Sequence, residues 1–399
     1  MTTTSMRLDE VAQINPKLAK SLAADTLVSF LPMSAVDADR GTTTLGEERQ
    51  YSEVSKGYTY FENGDLLIAK ITPCFENGKI AQATLSHPVG FGSTEFHVVR
   101  VNAERLDERY LLHFLRQRRL RLDGEKKMTG SGGQKRVPAN FIKELELPVP
   151  SLQEQKRIAA ILDKADALRA KRRKALEQLD ALAQAVFIEM FSTATVQGWK
   201  EVPIELLASQ EPGAIRTGPF GSQLLHSEFT DEGVAVLGID NAVQNEFAWG
   251  ESRYVSMEKY KQLSRYTVKP GDVIITIMGT CGRCAVVPQN IPLAINTKHL
   301  CCITLDQAKC LPDFLHAYFL RHPLARGYLE RTAKGAIMSG LNMGLIKSMP
   351  VKLPPLELQA AFVRRIEGIR KQKAILRGHA RQLDALFSSL QHRAFRGEL

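Results

Sequence analysis

The five residues QLDAL occur twice in this chain, at Gln178–Leu182 and at Gln382–Leu386, 204 residues apart in a total of 399. Their surroundings keep the same register. Phe191 answers Phe395, Pro150, Leu152 and Gln155 answer Pro354, Leu356 and Gln359, and Ile142-Lys143 answers Ile346-Lys347. Further upstream the spacing drifts by a few residues, as insertions in surface loops would cause. Phe114-Leu115-Arg116 corresponds to Phe319-Leu320-Arg321, and Gly64-Asp65-Leu66-Leu67-Ile68 to Gly271-Asp272-Val273-Ile274-Ile275. Matched elements in one order in both halves are a tandem duplication, so the chain must fold as two like halves.

Each half opens with mixed, strand-leaning sequence in which the Gly-Asp pairs read as turns feeding buried strands. A proline-marked junction follows, LPVPSLQEQKRI (147–158) in the first half and KLPPLELQAAFV (352–363) in the second. Beyond it lie long helical stretches, about 152–191 and 356–396, with no proline after their first turns. In the first, Ile158, Leu162, Ala165, Leu168, Leu176, Leu179, Leu182 or Ala183, Val186 and Met190 recur at spacings of three and four. In the second, Phe362, Ile366, Ile369, Leu376, Leu383, Leu386, Leu390 and Ala394 do so. This is a coiled-coil-like seam, interrupted by Arg172 and Lys373. Gly368 and Gly378 each cost the second helix about 1 kcal/mol relative to Ala. They mark either close helix–helix approach or simple tolerance.

Forty helical residues span roughly 60 Å. Parallel helices would require the domain between them to bridge that distance, whereas antiparallel helices place it compactly at one end. The expected fold is therefore of the α+β class, with two mixed α/β domains (1–150 and 195–351) and two long antiparallel coiled-coil helices (151–194 and 352–399). A pseudo-two-fold axis through the rod would make the whole a dumb-bell.

Composition narrows the function. Hydrophobic residues make up 44% and charged residues 24%, as in ordinary globular proteins. No apolar run reaches the eighteen or so residues of a membrane span. The start, MTTTSMRLDEVAQ, has no basic n-region or apolar h-region, so a cytoplasmic protein is expected. A net charge of +10 and a pI near 9.3 favour a polyanionic partner, nucleic acid ahead of a membrane surface. Cys281-x-x-Cys284 followed by Cys301-Cys302 resembles a zinc site only superficially, because adjacent cysteines serve one tetrahedral ion poorly. Small buried cysteines and no metal are expected. No phosphate loop, zinc-protease motif, nucleophile elbow or dinucleotide fingerprint is present; GSGGQKR (130–136) lacks the spacing and the following helix. No Asn- or Asp-Pro-Pro-aromatic tetrapeptide of amino-methyltransferases occurs either. His97, His113 and His316 lie in apolar surroundings that suggest packing. Together these features favour a binding protein over an enzyme.

Two like domains on a basic rod suit duplex DNA, where readers on one face sit about 34–36 Å apart. Because the halves have diverged, the target should be two unlike half-sites with an unread spacer. At this point the chain resembles, over essentially its whole length, the specificity subunit of a type I restriction–modification enzyme. GDLLIAKITPCFENGKIA (64–81) and GSTEFHVVRV (92–101) resemble segments of first target-recognition domains, and RTGPFGSQL (216–224) and GDVIITIMGTCGRCAVV (271–287) segments of second ones. Leu358 departs from the pattern, standing where the first junction has Glu154. The resemblance implies a non-catalytic subunit with no cofactor of its own. Two modification subunits would dock on the helices and methylate adenine at N6, binding S-adenosylmethionine themselves. Restriction subunits, a phage-defence translocase and nuclease using ATP and Mg, would join the same assembly.

Phosphate contacts from Lys and Arg would supply affinity, and groove contacts sequence. Candidates in the first domain are Lys70, Thr72, Lys79, Ser93, Thr94, Gln134, Lys135 and Arg136. The last three follow glycines that let a basic loop approach a backbone; a solvated surface loop is the plain alternative. In the second domain the candidates are Arg216, Thr217, Ser222, Gln223, Thr280, Arg283, Lys298 and His299. TGPFGS (217–222) also reads as a structural turn, with Phe220 in the core rather than between bases. LRAKRRK (168–174) and IRKQKAILR (369–377) are spacer-phosphate contacts, docking faces or solvated helix faces. Rival functions are a DNA-independent scaffold and a nuclease or methyltransferase with an unfamiliar site. Four extra residues in each helix, one turn or about 6 Å, should lengthen the spacer by roughly two base pairs. Mapping the spacer before and after insertion checks this, and an unchanged spacer with retained binding would exclude the ruler.

Overall fold

Behind each Gly-Asp turn the chain enters a strand buried on both faces. The computed structural model describes residues 4–131, 133–191, 198–333 and 341–399; the expected boundary at 194–195 and Gly132 of the basic loop lie outside these. The chain divides into two units, Met1–Leu176 with Ile375–Leu399, and Glu177–Ala374.

In the first unit, Leu66–Ala69 is a central strand of a six-stranded sheet, paired antiparallel with Phe96–Val101 and Ile80–Gln82. Side chains alternate across it. Leu66 and Ile68 join Val99, Tyr110 and Phe114 in one core, and Leu67 joins Phe61, Phe96 and Val98 in another. A four-stranded sheet, in the order Glu47–Gln50, Leu27–Leu31, Val89–Gly92, Thr59–Glu62, flanks the second core.

The second unit repeats this logic with fewer strands. Val273–Thr276 lies between Leu300–Ile303 and Cys284–Val286, with Ile215–Thr217 at the edge. Val273 and Ile275 face one core and Ile274 another. A second four-stranded sheet, Phe229–Thr230, Tyr254–Val255, Val234–Leu237, Ala294–Asn296, completes it.

The Gly-Asp turns are alike in detail. Gly64 and Gly271 have φ of +91° and +81°, a region that favours glycine. Asp65 accepts from the Glu62 N–H at 2.7 Å, and Asp272 from the Lys269 N–H at 2.8 Å. Each carboxylate also holds an arginine: Arg100 binds Asp65 through two bonds of 2.9 and 2.7 Å, and Arg216 binds Asp272 at 2.6 Å.

The duplicated glutamines explain the proline junctions. Gln155 is fully buried at the start of the helix Leu152–Phe191, and Gln359 at the start of the helix Leu356–Ala394. Gln155 accepts from the Asp107 N–H at 2.8 Å and donates to the Arg105 and Pro150 carbonyls, both at 2.9 Å. Gln359 accepts from the Leu311 N–H at 2.9 Å and donates to the Lys309 and Pro354 carbonyls at 3.0 and 2.9 Å. All three partners obey the 204-residue offset, so the register holds further upstream than sequence matching alone indicates. By that register the start of Glu108–Leu115 answers the start of Pro312–Arg321.

Within each unit the two long helices run antiparallel. In the first unit, Arg169 Nε binds Asp384 at 2.6 Å and Arg157 reaches the Leu399 carbonyl at 2.8 Å. In the second, Lys373 Nζ binds Asp180 at 2.6 Å, while Phe362 packs on Phe187 and Phe191 with ring centroids 5.7 and 5.2 Å apart. Asp180 and Asp384 are the central residues of the two QLDAL copies, and Arg169 and Lys373 stand at the same offset. Lys373 therefore does not interrupt the seam: it is buried and paired, binding Glu246 as well at 2.8 Å.

Several seam leucines fall elsewhere than their spacing suggests. Ile369 is buried and Leu176, Leu179, Leu376 and Leu383 are partly buried, but Leu168, Leu182 and Leu386 are about half exposed. Ala183 and Phe387 are the inward neighbours of the last two. One residue turns a helix by about 100°, so the ion pair at the QLDAL aspartate fixes which neighbour points inward. No neighbouring atom lies within 4 Å of a Cβ built on Gly368 or Gly378, so neither glycine marks a close helix contact.

Replacing Gln155 or Gln359 by Ala should destabilise the unit holding it by roughly 2–4 kcal/mol, because a buried N–H and two carbonyls lose their partner. A lowered urea midpoint for that unit's transition is the expected reading, with no change for exposed Arg364→Ala.

Candidate nucleic-acid interface

Three loops of the first unit are tied together by backbone hydrogen bonds. The Lys70 N–H donates to the Glu95 carbonyl at 2.9 Å, and the Thr72 N–H to the Lys135 carbonyl at 3.0 Å. Thr72 Oγ1 accepts from the Lys135 N–H at 3.1 Å and donates to the Gly133 carbonyl at 2.7 Å. Residue 130 must be glycine here: a Cβ would lie 2.4 Å from the Gln134 carbonyl oxygen. Lys70, Thr72, Ser93, Thr94, Gln134, Lys135 and Arg136 are thus brought close together. Thr94, Gln134 and Lys135 are exposed. Arg136 is held by Glu95 in a two-point pair at 2.8 and 2.9 Å, which lowers the Glu95 pKa. Ser93 Oγ accepts from the Glu95 N–H at 3.2 Å. Lys79 is committed elsewhere, its ammonium donating to the Met33 carbonyl at 2.9 Å.

In the second unit the candidates again converge, with one exception. A Cβ on Gly218 would meet the Asn296 carbonyl oxygen at 2.0 Å, so the 217–223 loop lies directly on the turn that carries Lys298 and His299. The Ile277 N–H bonds the His299 carbonyl at 2.9 Å, and Thr276 Oγ1 bonds the Thr280 carbonyl at 2.5 Å, joining the turn of Thr280 and Arg283 to the same place. Ser222, Gln223, Thr280 and Arg283 are exposed, while Thr217, Lys298 and His299 are half-buried. The Gln223 side-chain oxygen accepts from the Phe220 N–H at 3.2 Å and the Tyr266 hydroxyl at 2.9 Å, leaving its amide nitrogen free to donate.

Arg216 is the exception. It is 8% exposed, and its guanidinium binds Asp272, the Thr267 carbonyl at 2.5 Å and the Thr304 hydroxyl at 3.0 Å. It holds the Gly-Asp turn and is not placed to touch DNA. Arg100 plays the like part for Asp65 but from a different strand, one that follows its turn in the chain where Arg216 precedes its own, so the repeat gave no signal for Arg216. Phe220, expected in the core, is instead 49% exposed at the tip of its loop. Position within TGPFGS gave no means of telling the two apart.

Sequence reasoning missed a surface groove of about 470 Å³ beside His299, lined by Ile239, Asp240, Val243 and Arg253. Burial, Lys298 and Arg253 all lower the His299 pKa, which keeps its ring neutral and able to donate and accept at neutral pH. The three histidines expected to serve packing have polar partners as well. His97 bonds the Val137 carbonyl at 2.8 Å, and His113 bonds Asp163 at 2.8 Å. His316, bonded to the Asn245 and Cys284 carbonyls, is lowered by burial to about 4. Cys284, Cys301, Cys302 and Cys310 are fully buried, and burial raises all four thiols, Cys301 and Cys310 to about 12. Among the described residues no helix is long and apolar enough to cross a membrane.

The family model for the type I restriction modification DNA specificity domain matches residues 2–178 and 225–384. This chain belongs to that family. The EcoEI specificity subunit of Escherichia coli is 26% identical across 91% of this chain and 77% of its own length. The EcoAI specificity subunit of Escherichia coli is 43% identical over a stretch covering 38% of this chain but only 26% of that relative. Two solved structures share the fold over 99% of this chain. One, a chain of a type I restriction–modification system, has a TM-score of 0.57 at 19% identity and is covered over 98%. The other, the S subunit from M. genitalium, has a TM-score of 0.56 at 15% identity and is covered over 96%. Family membership accords with tandem domains joined by a long helix.

For this family member, Arg216→Ala should act as a stability mutation. Loss of one partner of a buried ion pair costs about 3–5 kcal/mol, so the second unit should melt earlier. Any residual DNA binding should keep its base preference. A changed preference at wild-type stability, measured by melting and binding-site selection, would return Arg216 to the interface.

Proposed function

We propose that this chain is the DNA-addressing subunit of a type I restriction–modification complex. Residues 1–150 and 195–351 would each read one half of a two-part duplex target, on helices 151–194 and 352–399 that serve as a common frame. The observation that carries this reading is the pair of loop clusters, each on a domain built around the same glutamine junction but made of different loops, with Thr94, Gln134 and Lys135 exposed in the first and Ser222, Gln223, Thr280 and Arg283 in the second. Identical frames with unlike loops suit two unlike half-sites. In the first cluster Lys135 supplies a cation beside neutral donors and acceptors; in the second Arg283, Lys298 and a neutral His299 do the same.

Chemistry would reside in partners. Two modification subunits would dock on the long helices and methylate adenine at N6 with their own S-adenosylmethionine, and restriction subunits would bring ATP- and Mg-dependent translocation and cleavage. The exposed Leu168, Leu182 and Leu386, on helices rich in Lys and Arg, support such docking. A cytoplasmic location follows from this role.

Sequencing methylated adenines in a host carrying this chain and its modification partner tests the proposal. A two-part motif with one methylated adenine per half, on opposite strands, is the expected result. Lys135→Ala should weaken duplex binding and, by removing about one phosphate contact, flatten the salt dependence by about 0.9 in log–log slope. Methylation without a two-part motif would refute the reading.

A further inference from the structure

The first unit contains an arginine-lined cavity that no base-reading role uses. It measures about 270 Å³ and lies between the turn at Asn77 and Gly78, the start of the helix Arg118–Lys127, and the two long helices. Arg116, Arg118, Arg121 and Arg169 line it, against two carboxylates, Asp39 and Asp384.

Two of these arginines are fixed in place by the protein. Arg116 binds Asp166 at 3.1 Å and the Ala38 and Asp39 carbonyls at 3.1 and 2.7 Å. Arg169 binds Asp384 and Asp166 at 2.6 and 2.7 Å and lies over the Phe387 ring at 4.4 Å. Its second terminal nitrogen makes no protein hydrogen bond among the described residues. The other two have no hydrogen-bonded carboxylate among the described residues. Arg118 is exposed without a carboxylate partner among the described residues, and the nearest carboxylate oxygen to Arg121, from Glu125, is 3.9 Å away. Arg121 Nε is sealed from solvent and has no hydrogen-bond partner, a state that buried donors seldom tolerate. Arg118 and Arg121 thus offer the cavity fork-shaped donors that no carboxylate among the described residues engages by a hydrogen bond, and such forks match the oxygens of a phosphate.

The second unit lacks this arrangement at the equivalent place. Lys373, which answers Arg169, is closed by Glu246 as well as Asp180, and Arg370 is paired with Asp313 at 2.5 Å. The second unit's cations here are thus closed by carboxylates, whereas Arg118 and Arg121 of the first unit are left without a hydrogen-bonded one among the described residues.

We propose that this cavity binds a phosphate group, and that in the working complex the group belongs to the DNA backbone outside the bases that are read. The inference rests on the DNA-addressing function proposed above. Location favours the backbone as source, because the turn that begins at Thr72 of the reading surface ends at Asn77 and Gly78 in the cavity wall. The site would anchor the duplex in register and take no part in choosing bases.

The test uses the full chain, alone and assembled with its modification subunits, and the double variant Arg118→Gln/Arg121→Gln. With the mapped duplex, the variant should lose about 0.9 from the log–log salt slope, equally for target and non-target DNA. One methylphosphonate in the backbone should reproduce that loss in the wild type and add nothing in the variant. In parallel, inorganic phosphate against chloride at matched ionic strength should raise the melting temperature of the wild type alone. A phosphate-dependent melting shift with an unchanged slope keeps the phosphate site and assigns it a free ligand. An unchanged slope with no phosphate effect overturns the proposal, as does an unchanged slope with weakened modification-subunit binding, which would assign the arginines to a protein carboxylate. If the wild type itself binds DNA without regard to sequence or salt, it is the addressing function that fails.

Discussion

The fold of each half depends on a buried glutamine. Gln155 and Gln359 each join three backbone groups: a carbonyl of the proline junction, the N–H at the cap of the short helix that follows the sheet, and a carbonyl two residues before that cap. A buried amide with its oxygen and both hydrogens committed has one low-energy orientation. It therefore sets the direction in which a long helix leaves its domain. The prolines at Pro150 and Pro354 keep the preceding chain extended and present their carbonyls to the same amide. A hydrophobic contact in that position would permit sliding; three directional bonds do not.

The far ends of the long helices are fixed by different means. Phe191 packs on Phe314 in the second unit, and Phe395 packs on Tyr110 in the first, with ring centroids 5.1 Å apart in both. Between junction and aromatic contact lies the ion pair of the QLDAL aspartate, Asp180 with Lys373 and Asp384 with Arg169. Every one of these contacts is related to its counterpart by the 204-residue offset. The repeated phrase is therefore conserved between the halves for a carboxylate that meets a cation on the other helix, more than for its leucines.

On this common frame the two halves carry unlike surfaces. In the first, a lysine-bearing loop is laced to Thr72 and Lys70, and a cavity lined by arginine forks opens beside the helices. In the second, Gly218 brings the TGPFGS loop against the turn of Lys298 and His299, and the equivalent cation is neutralised by Glu246. The loops have diverged most, and each half still keeps an apolar central strand, Leu66–Ala69 and Val273–Thr276, buried on both faces.

The duplication, the α+β class, the long helices and the glutamine junctions were all legible in the sequence, because each depends on local pattern or on self-similarity. Turn and basic composition marked Thr72, Lys135, Thr280 and His299 as loop residues, and the structure places all four outside the regular strands and helices. What only the tertiary structure decided was which side of a local choice each residue took. Arg216 turned inward because Asp272 needed a cation, Phe220 stayed outside because its turn is pinned by Gly218 and Gln223, and Leu182 and Leu386 yielded the inner positions to Ala183 and Phe387. The arginine cavity likewise gathers residues from five separate segments. Such outcomes depend on partners far away in the chain, and a one-residue turn of a helix or a strand's choice of face leaves no trace in spacing alone.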